Sequence, residues 1–277
     1  MERNVIGVFD SGVGGLTVLK ELVDLLPNCS YIYFADTLNC PYGPKGSSEI
    51  IRLSKAITEF LINQGCSIIV VACNTATAAA IDYLRAHYPI PFVGMEPAVK
   101  PAALATKTKS IGVLATKGTF KGRLYQETTS KFATNINIWY QVGSGLVELV
   151  EQGKFDTHEA KVLLRKYIDP MLEKNIDHLV LGCTHYPFFI PTLADIIPKD
   201  ITIVNPAPSV AKQTARVLAK MHLPNAKPAY NNNGKETFVK FYSSGSTETL
   251  QRLVNKIEQD TGILFKNKIF NAHTLFL

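Results

Sequence analysis

The chain lacks most of the features that would send a protein out of the cell, into a membrane or onto nucleic acid. No apolar run approaches the roughly twenty residues of a membrane-spanning helix. The first residues carry no basic leader, apolar core and small-residue cleavage pattern, so no secretory signal is expected. The net charge is +6, yet no dense Lys/Arg block concentrates it, so neither a nucleic acid nor a membrane is expected as a partner. Charged residues make up 19% of the chain, below the usual quarter. Cysteine is sparse and odd in number: five in 277 residues. That excludes a disulfide framework and points to reduced thiols in the cytoplasm. Closed Cys/His spacing of the zinc-site kind is absent, and His87, His158, His178, His222 and His273 form no cluster along the chain, so no metal is expected.

What is present is a large apolar fraction, 46% hydrophobic, enough for a substantial core. Short β-rich runs alternate with helical patterns from end to end, the signature of an α/β fold with mainly parallel sheets. Strands are predicted over 5–9, 31–35, 68–72, 92–94, 110–114, 135–139, 178–182, 201–204 and 238–243. Helices are predicted over 15–26, 47–64, 77–87, 157–173 and 209–221. The runs at 68–72 and 179–182 are apolar at every position, as expected of strands buried on both faces. The polar stretch Asn225–Gly234 reads as an exposed loop.

A weak repeat runs through this pattern. Ile6-Gly-Val-Phe-Asp10 resembles Ile111-Gly-Val-Leu-Ala115, and Tyr31–Phe34 precedes a loop much as Ile136–Trp139 does. More telling, Ile68-Ile-Val-Val-Ala-Cys73-Asn-Thr75 is echoed by Leu179-Val-Leu-Gly-Cys183-Thr-His185. Two pseudo-symmetric α/β domains follow, with the active site in the interdomain cleft. Proline-rich breakpoints near Pro97 and Pro208 divide them into residues 1–97 plus 208–277, the tail returning to the first domain, and residues 98–207.

Chemistry concentrates at the ends of the predicted strands, where ligands of open α/β sheets bind. Cys73 and Cys183 stand there, each before an expected helix start that favours the thiolate. Asn74-Thr75 and Thr184-His185 follow them, residue types suited to gripping a carboxylate. Two facing weak acid–bases can move a proton from one side of a carbon to the other. His185 reads either as a proton partner of Cys183 or as a capping histidine. Asp10-Ser-Gly-Val-Gly-Gly15 opens a helix but is not a phosphate loop, since its spacing fails and its carboxylate repels phosphate. It is either an anion-binding turn or a glycine-rich turn in which Asp10 serves as N-cap. Asp36, ending the second strand, belongs to a cleft wall or to an ordinary turn. Cys29, Cys40 and Cys66 lack such context and read as structural.

Taken together, Phe-Asp10-Ser11-Gly-Val-Gly-Gly, Ala-Asp36, Pro41-Tyr42-Gly43, Ala-Cys73-Asn74-Thr75-Ala and Gly-Cys183-Thr184-His185-Tyr-Pro resemble the glutamate racemases of the aspartate/glutamate racemase superfamily, from about residue 5 to about residue 220. The resemblance implies a cofactor-independent isomerase of bacterial cell-wall synthesis that interconverts L- and D-glutamate and is commonly a homodimer. It implies that Cys73 and Cys183 deprotonate and reprotonate the α-carbon from opposite faces, with Asp10 and His185 assisting. Asp36 and Glu151 match further acidic residues of the site, although Glu148 competes with Glu151 for that place. Ser11, Tyr42, Gly43, Asn74, Thr75, Thr116, Thr119 and Thr184 match substrate contacts. Asn205-Pro-Ala-Pro-Ser-Val-Ala departs from the acidic stretch usual there.

Other readings compete. A racemase of aspartate or of broader specificity uses the same thiols. A Cys183–His185 acyl-transfer hydrolase leaves Cys73-Asn-Thr unexplained. A two-lobed amino-acid-binding protein has no use for paired thiols, and a pyridoxal-dependent racemase requires a Schiff-base lysine.

Overall fold

The computed structural model describes residues 4–96, 98–132, 135–221 and 236–273. The Asn225–Gly234 stretch, His222 and the Pro97 breakpoint lie outside them. Two sheets organise the chain, and every strand pairing in the described residues is parallel. The first holds β1 (Val5–Asp10), β2 (Ser30–Ala35), β3 (Ile68–Val71) and β4 (Phe92–Gly94). The second holds β5 (Ser110–Ala115), β6 (Asn137–Val142), β7 (His178–Gly182) and β8 (Thr202–Val204). Their orders, β2-β1-β3-β4 and β6-β5-β7-β8, are the same pattern twice. The sequence echo between the two cysteine segments is therefore an echo of position: β3 and β7 occupy equivalent places.

The tail extends the first sheet. Strands β9 (Glu236–Ser243) and β10 (Leu264–Ala272) add beyond β2, giving the order β10-β9-β2-β1-β3-β4.

The helices follow from the apolar periods between strands. In the first half they are α1 (Leu16–Leu25), α2 (Ser47–Asn63) and α3 (Asn74–His87); α4 (Val99–Ala105) then leads into the second sheet. Next come α5 (Lys117–Lys121), α6 (Arg123–Phe132), α7 (Leu146–Glu151), α8 (His158–Leu172) and α9 (Ile190–Ile196). The returning segment contributes α10 (Ala207–Lys220), packed on α1, and α11 (Glu248–Thr261). No helix among the described residues is long and apolar enough to cross a membrane.

Strands buried on both faces explain the continuous apolar runs. In β3, Ile68 and Val70 enter the core shared with α1, whereas Ile69 and Val71 enter the core beneath α2 and α3. Edge strand β6 departs from expectation. It spans 137–142 rather than 135–139, and its Trp139 and Tyr140 are exposed, so no burial pattern marks its limits.

Candidate active site

Asp10, Cys73 and Cys183 all stand at or just past the C-terminal ends of parallel strands β1, β3 and β7. Cys73 is itself the N-cap of α3: its Sγ accepts the Ala76 N–H at 3.4 Å. Its thiol also lies 3.5 Å from Ser11 Oγ, which lies 3.5 Å from Asp10 Oδ1. The chain Cys73–Ser11–Asp10 is a short relay of exchangeable protons. Asp10 Oδ2 accepts the Gly15 N–H at 2.9 Å, and Glu151 Oε1 accepts the Val13 N–H at 2.7 Å. Side-chain carboxylates thus take up these two donors of the glycine-rich turn. Asp10 is not the N-cap of α1, a place that Gly15 takes without a side-chain cap; its carboxylate braces the turn from the strand side.

The expectation that a helix start favours the Cys73 thiolate is corrected. Burial pushes the Cys73 thiol well above its ordinary range, and the Asp10 charge pushes the same way. Hydrogen bonds from Ser11 and the Ala76 N–H offset only part of this. A charge on Cys183 raises it further, the least of these influences.

Cys183 sits in a different setting. No α-helix begins at Thr184. A bend leads into a single 3-10 turn, Tyr186–Phe189, before α9. Proline explains the break: Pro191 has no N–H to donate back to Pro187, so the α-helical ladder cannot run through. The partner of Cys183 is His185, whose Nδ1 lies 3.8 Å from Cys183 Sγ. Its Nε2 lies 2.7 Å from Glu151 Oε1. Burial works against a charged imidazole here. Hydrogen bonds with Cys183, Cys40 and Glu151, together with the Asp10 charge, outweigh it and hold the His185 pKa well above its ordinary value. Asp10 in turn is raised by burial, against the opposing pull of His185 and the Gly15 N–H.

Glu151, at the end of α7, is the carboxylate that meets His185, while Glu148 is exposed at the mouth of a cleft. Asp36 is buried, but its carboxylate serves its own loop. It accepts the Tyr42 hydroxyl at 2.6 Å and the Asn39 amide at 2.9 Å, and thereby sets the Pro41–Gly43 wall.

Thr75, Thr116, Thr119 and Thr184, four of the predicted substrate contacts, lie at the seam between the halves. Thr75 Oγ1 lies 2.8 Å from Thr116 Oγ1, which lies 3.0 Å from Thr119 Oγ1. Thr119 Oγ1 donates to the Gly182 carbonyl beside Cys183. Thr184 Oγ1 donates to Asp10 Oδ1 at 3.4 Å, and Thr17 Oγ1 donates to the Thr184 carbonyl at 3.0 Å. A cleft of about 310 Å³ opens beside Gly43, Thr116 and Glu148. The thiols are nearly enclosed, Cys73 at 4% and Cys183 at 6% exposure. Asn74 is buried, and neither its Oδ1 nor its Nδ2 has a hydrogen-bond partner. Each such buried group costs about 1–3 kcal/mol if left unpaired. Together they form a donor–acceptor pair suited to a polar ligand.

Cys40 corrects a second expectation. It is not a structural thiol remote from the site. It faces His185, and Cys40, Glu151 and His185 bring their ligand atoms within 4.8 Å of one another. Spacing along the chain could not reveal a cluster drawn from three distant segments. Cys29 and Cys66 are buried in core clusters, and none of the five cysteines forms a disulfide.

The family model described as Asp/Glu/Hydantoin racemase matches residues 6–214. The glutamate racemase of Herpetosiphon aurantiacus is 45% identical over 225 residues, covering 81% of this chain and 89% of that protein. A crystal structure of glutamate racemase from Francisella tularensis in complex with D-glutamate superposes with a TM-score of 0.79 at 28% identity, covering 99% of both chains. That of the Escherichia coli glutamate racemase, in complex with L-glutamate and the activator UDP-MurNAc-ala, gives 0.81 at 30% identity, covering 98% of this chain and 99% of the other. The fold is thus that of a known lineage, and the chain belongs to the Asp/Glu/hydantoin racemase family, among its glutamate racemases.

Proposed function

We propose that this protein interconverts L- and D-glutamate by a two-base mechanism in which Cys73 and Cys183 work on opposite faces of the α-carbon. The observation that carries the reading is positional: the two thiols end equivalent strands of two like-ordered sheets, each beside its own acid–base group. Relatives named as glutamate racemases, and structures of them holding each enantiomer, support glutamate as the substrate.

An amino-acid α-proton is too weakly acidic for a thiolate to remove in water at a useful rate. The site has to stabilise developing carbanionic charge in a water-poor cleft. The Asn74 amide, the N–H groups at the start of α3 and the threonines at the seam are suited to hold the substrate carboxylate and ammonium. One sulfur, as thiolate, takes the α-hydrogen as a proton and becomes a thiol. The other, as thiol, delivers its proton to the opposite face and becomes a thiolate. Asp10, through Ser11, serves Cys73, and His185, poised by Glu151, serves Cys183. These groups reset the sulfurs between turnovers. Asp36 acts as a positioning residue through Tyr42. Substrate entry requires the Thr75–Thr116 seam to part.

Residues 1–97 with 208–277, and residues 98–207, are the proposed domains that part. The same reading has the enzyme act in the cytoplasm as a homodimer, supplying D-glutamate for peptidoglycan. Reduced thiols are in keeping with that compartment.

Polarimetry tests the reading directly. Purified protein with EDTA and no added cofactor is expected to bring the rotation of either glutamate enantiomer to zero. Aspartate and alanine are expected to turn over far more slowly. Aspartate turnover matching that of glutamate would instead support a broad-specificity racemase.

A further inference from the structure

Cys40 carries no proton to or from the substrate in the proposed mechanism, yet with Glu151 and His185 it forms a trio assembled from three separate segments: the loop after β2, the end of α7 and the bend after β7. Sulfur, imidazole nitrogen and carboxylate oxygen are the donor types that bind zinc and cobalt. Their ligand atoms lie within 4.8 Å of one another, the closest pair, His185 Nε2 and Glu151 Oε1, at 2.7 Å. Tetrahedral bonds of about 2.0–2.3 Å bring such ligands together after side-chain shifts of about an ångström. Gly12 keeps the space clear. A Cβ there would lie 2.0 Å from Glu151 Oε1 and 2.9 Å from Cys40 Sγ. The charges also balance, because one thiolate and one carboxylate offset a divalent cation.

We propose that Cys40, Glu151 and the Nε2 of His185 form a reversible binding site for a divalent zinc-type cation, one that competes with the proton shared by His185 and Glu151. On binding, the Cys40 S–H gives up its proton, the His185–Glu151 proton is released, and three metal–ligand bonds form with water in the fourth position. Metal on Nε2 leaves the imidazole proton on Nδ1, facing Cys183. His185 then cannot alternate between charged and neutral forms, so metal occupancy inhibits turnover. Only this inhibitory consequence rests on the proposed racemase mechanism; the binding does not.

Cobalt(II) is the probe, titrated into the full-length protein. The expected result is one equivalent bound, with the visible bands of a tetrahedral site and a near-ultraviolet sulfur-to-cobalt charge-transfer band. Cys40→Ser is expected to abolish the charge-transfer band and weaken binding at least about tenfold, and whatever racemisation it keeps is expected to escape inhibition at cobalt concentrations that inhibit the wild type. Glu151→Gln is expected to weaken binding but keep the band. Cys73→Ser and Cys183→Ser are expected to keep both. No binding by the wild-type protein, an unchanged band in Cys40→Ser, or loss of the band in Cys73→Ser or Cys183→Ser would each overturn the proposal. Failure of the protein to racemise glutamate leaves the spectrum unaffected, so the two readings fail separately.

Discussion

The two halves share a sheet order and a cysteine at the end of equivalent strands, yet they surround those cysteines differently. In the first half the thiol caps a fourteen-residue helix and faces a hydroxyl and a buried carboxyl, Ser11 and Asp10. In the second half it precedes a 3-10 turn and faces an imidazole held by a second carboxylate. A duplicated scaffold fixes where two acid–base groups stand and leaves open what assists them. For a reaction that must run both ways, two unlike assistants suffice, provided each can take and return one proton.

The comparison breaks most severely if either sulfur is removed. Cys73→Ala and Cys183→Ala are each expected to lower turnover by about a thousandfold or more, with circular dichroism and unfolding midpoints close to wild type. Gly14→Ala sharpens it on one side only. The new Cβ would lie 2.3 Å from His185 Nδ1, so the imidazole has to move away from Cys183. Turnover is expected to fall about a hundredfold, while the Cys73 side is left as it stands.

A smaller effect is expected from Glu151→Gln, about tenfold in turnover. Losing this hydrogen-bonded carboxylate lowers the His185 pKa toward its ordinary 6.5, so the alkaline limb of the kcat profile moves to lower pH. The stability the pair contributes is fully present below pH 6.5 and is lost as pH rises through the raised value. Unfolding midpoints of wild type and variant are therefore expected to converge in alkali. Smallest is Asp177→Asn, at the other end of the second sheet. Despite some burial, Asp177 is held well below its ordinary pKa by His178, the Thr106 hydroxyl and the N–H groups of Thr108 and Lys107. The substitution is expected to cost about 1 kcal/mol of stability at neutral pH and no activity. Because the carboxyl is depressed, its contribution exists above pH 3.8 and disappears as pH falls below that, which acid unfolding curves of the two proteins would register.

The duplicated strands were legible because burial on both faces makes β3 and β7 apolar at every position, and because a thiol with polar neighbours follows each run. Helix α11 carries an equally plain period, with Leu250, Leu253, Val254 and Ile257 buried along it, although the helices predicted from the sequence end at 221. Three features were not legible. The Cys73 thiol is governed by burial and by Asp10 rather than by the helix it caps, and burial depth is a property of the whole fold. The break after Cys183 depends on Pro191, eight residues beyond that cysteine. Cys40 reaches His185 only because the loop after β2 crosses to the other half, a contact between residues 145 positions apart.

The central claim is that each sulfur serves one face of the α-carbon, and solvent deuterium exchange reads this most directly. Cys73→Ser and Cys183→Ser are each incubated in deuterium oxide with L-glutamate and with D-glutamate, and α-deuteration is followed by proton NMR. The account predicts that each variant exchanges the α-proton of one enantiomer only, the opposite enantiomer for the two variants, with no inversion of configuration. Inversion at the wild-type rate in either variant, or exchange of the same enantiomer by both, would contradict it.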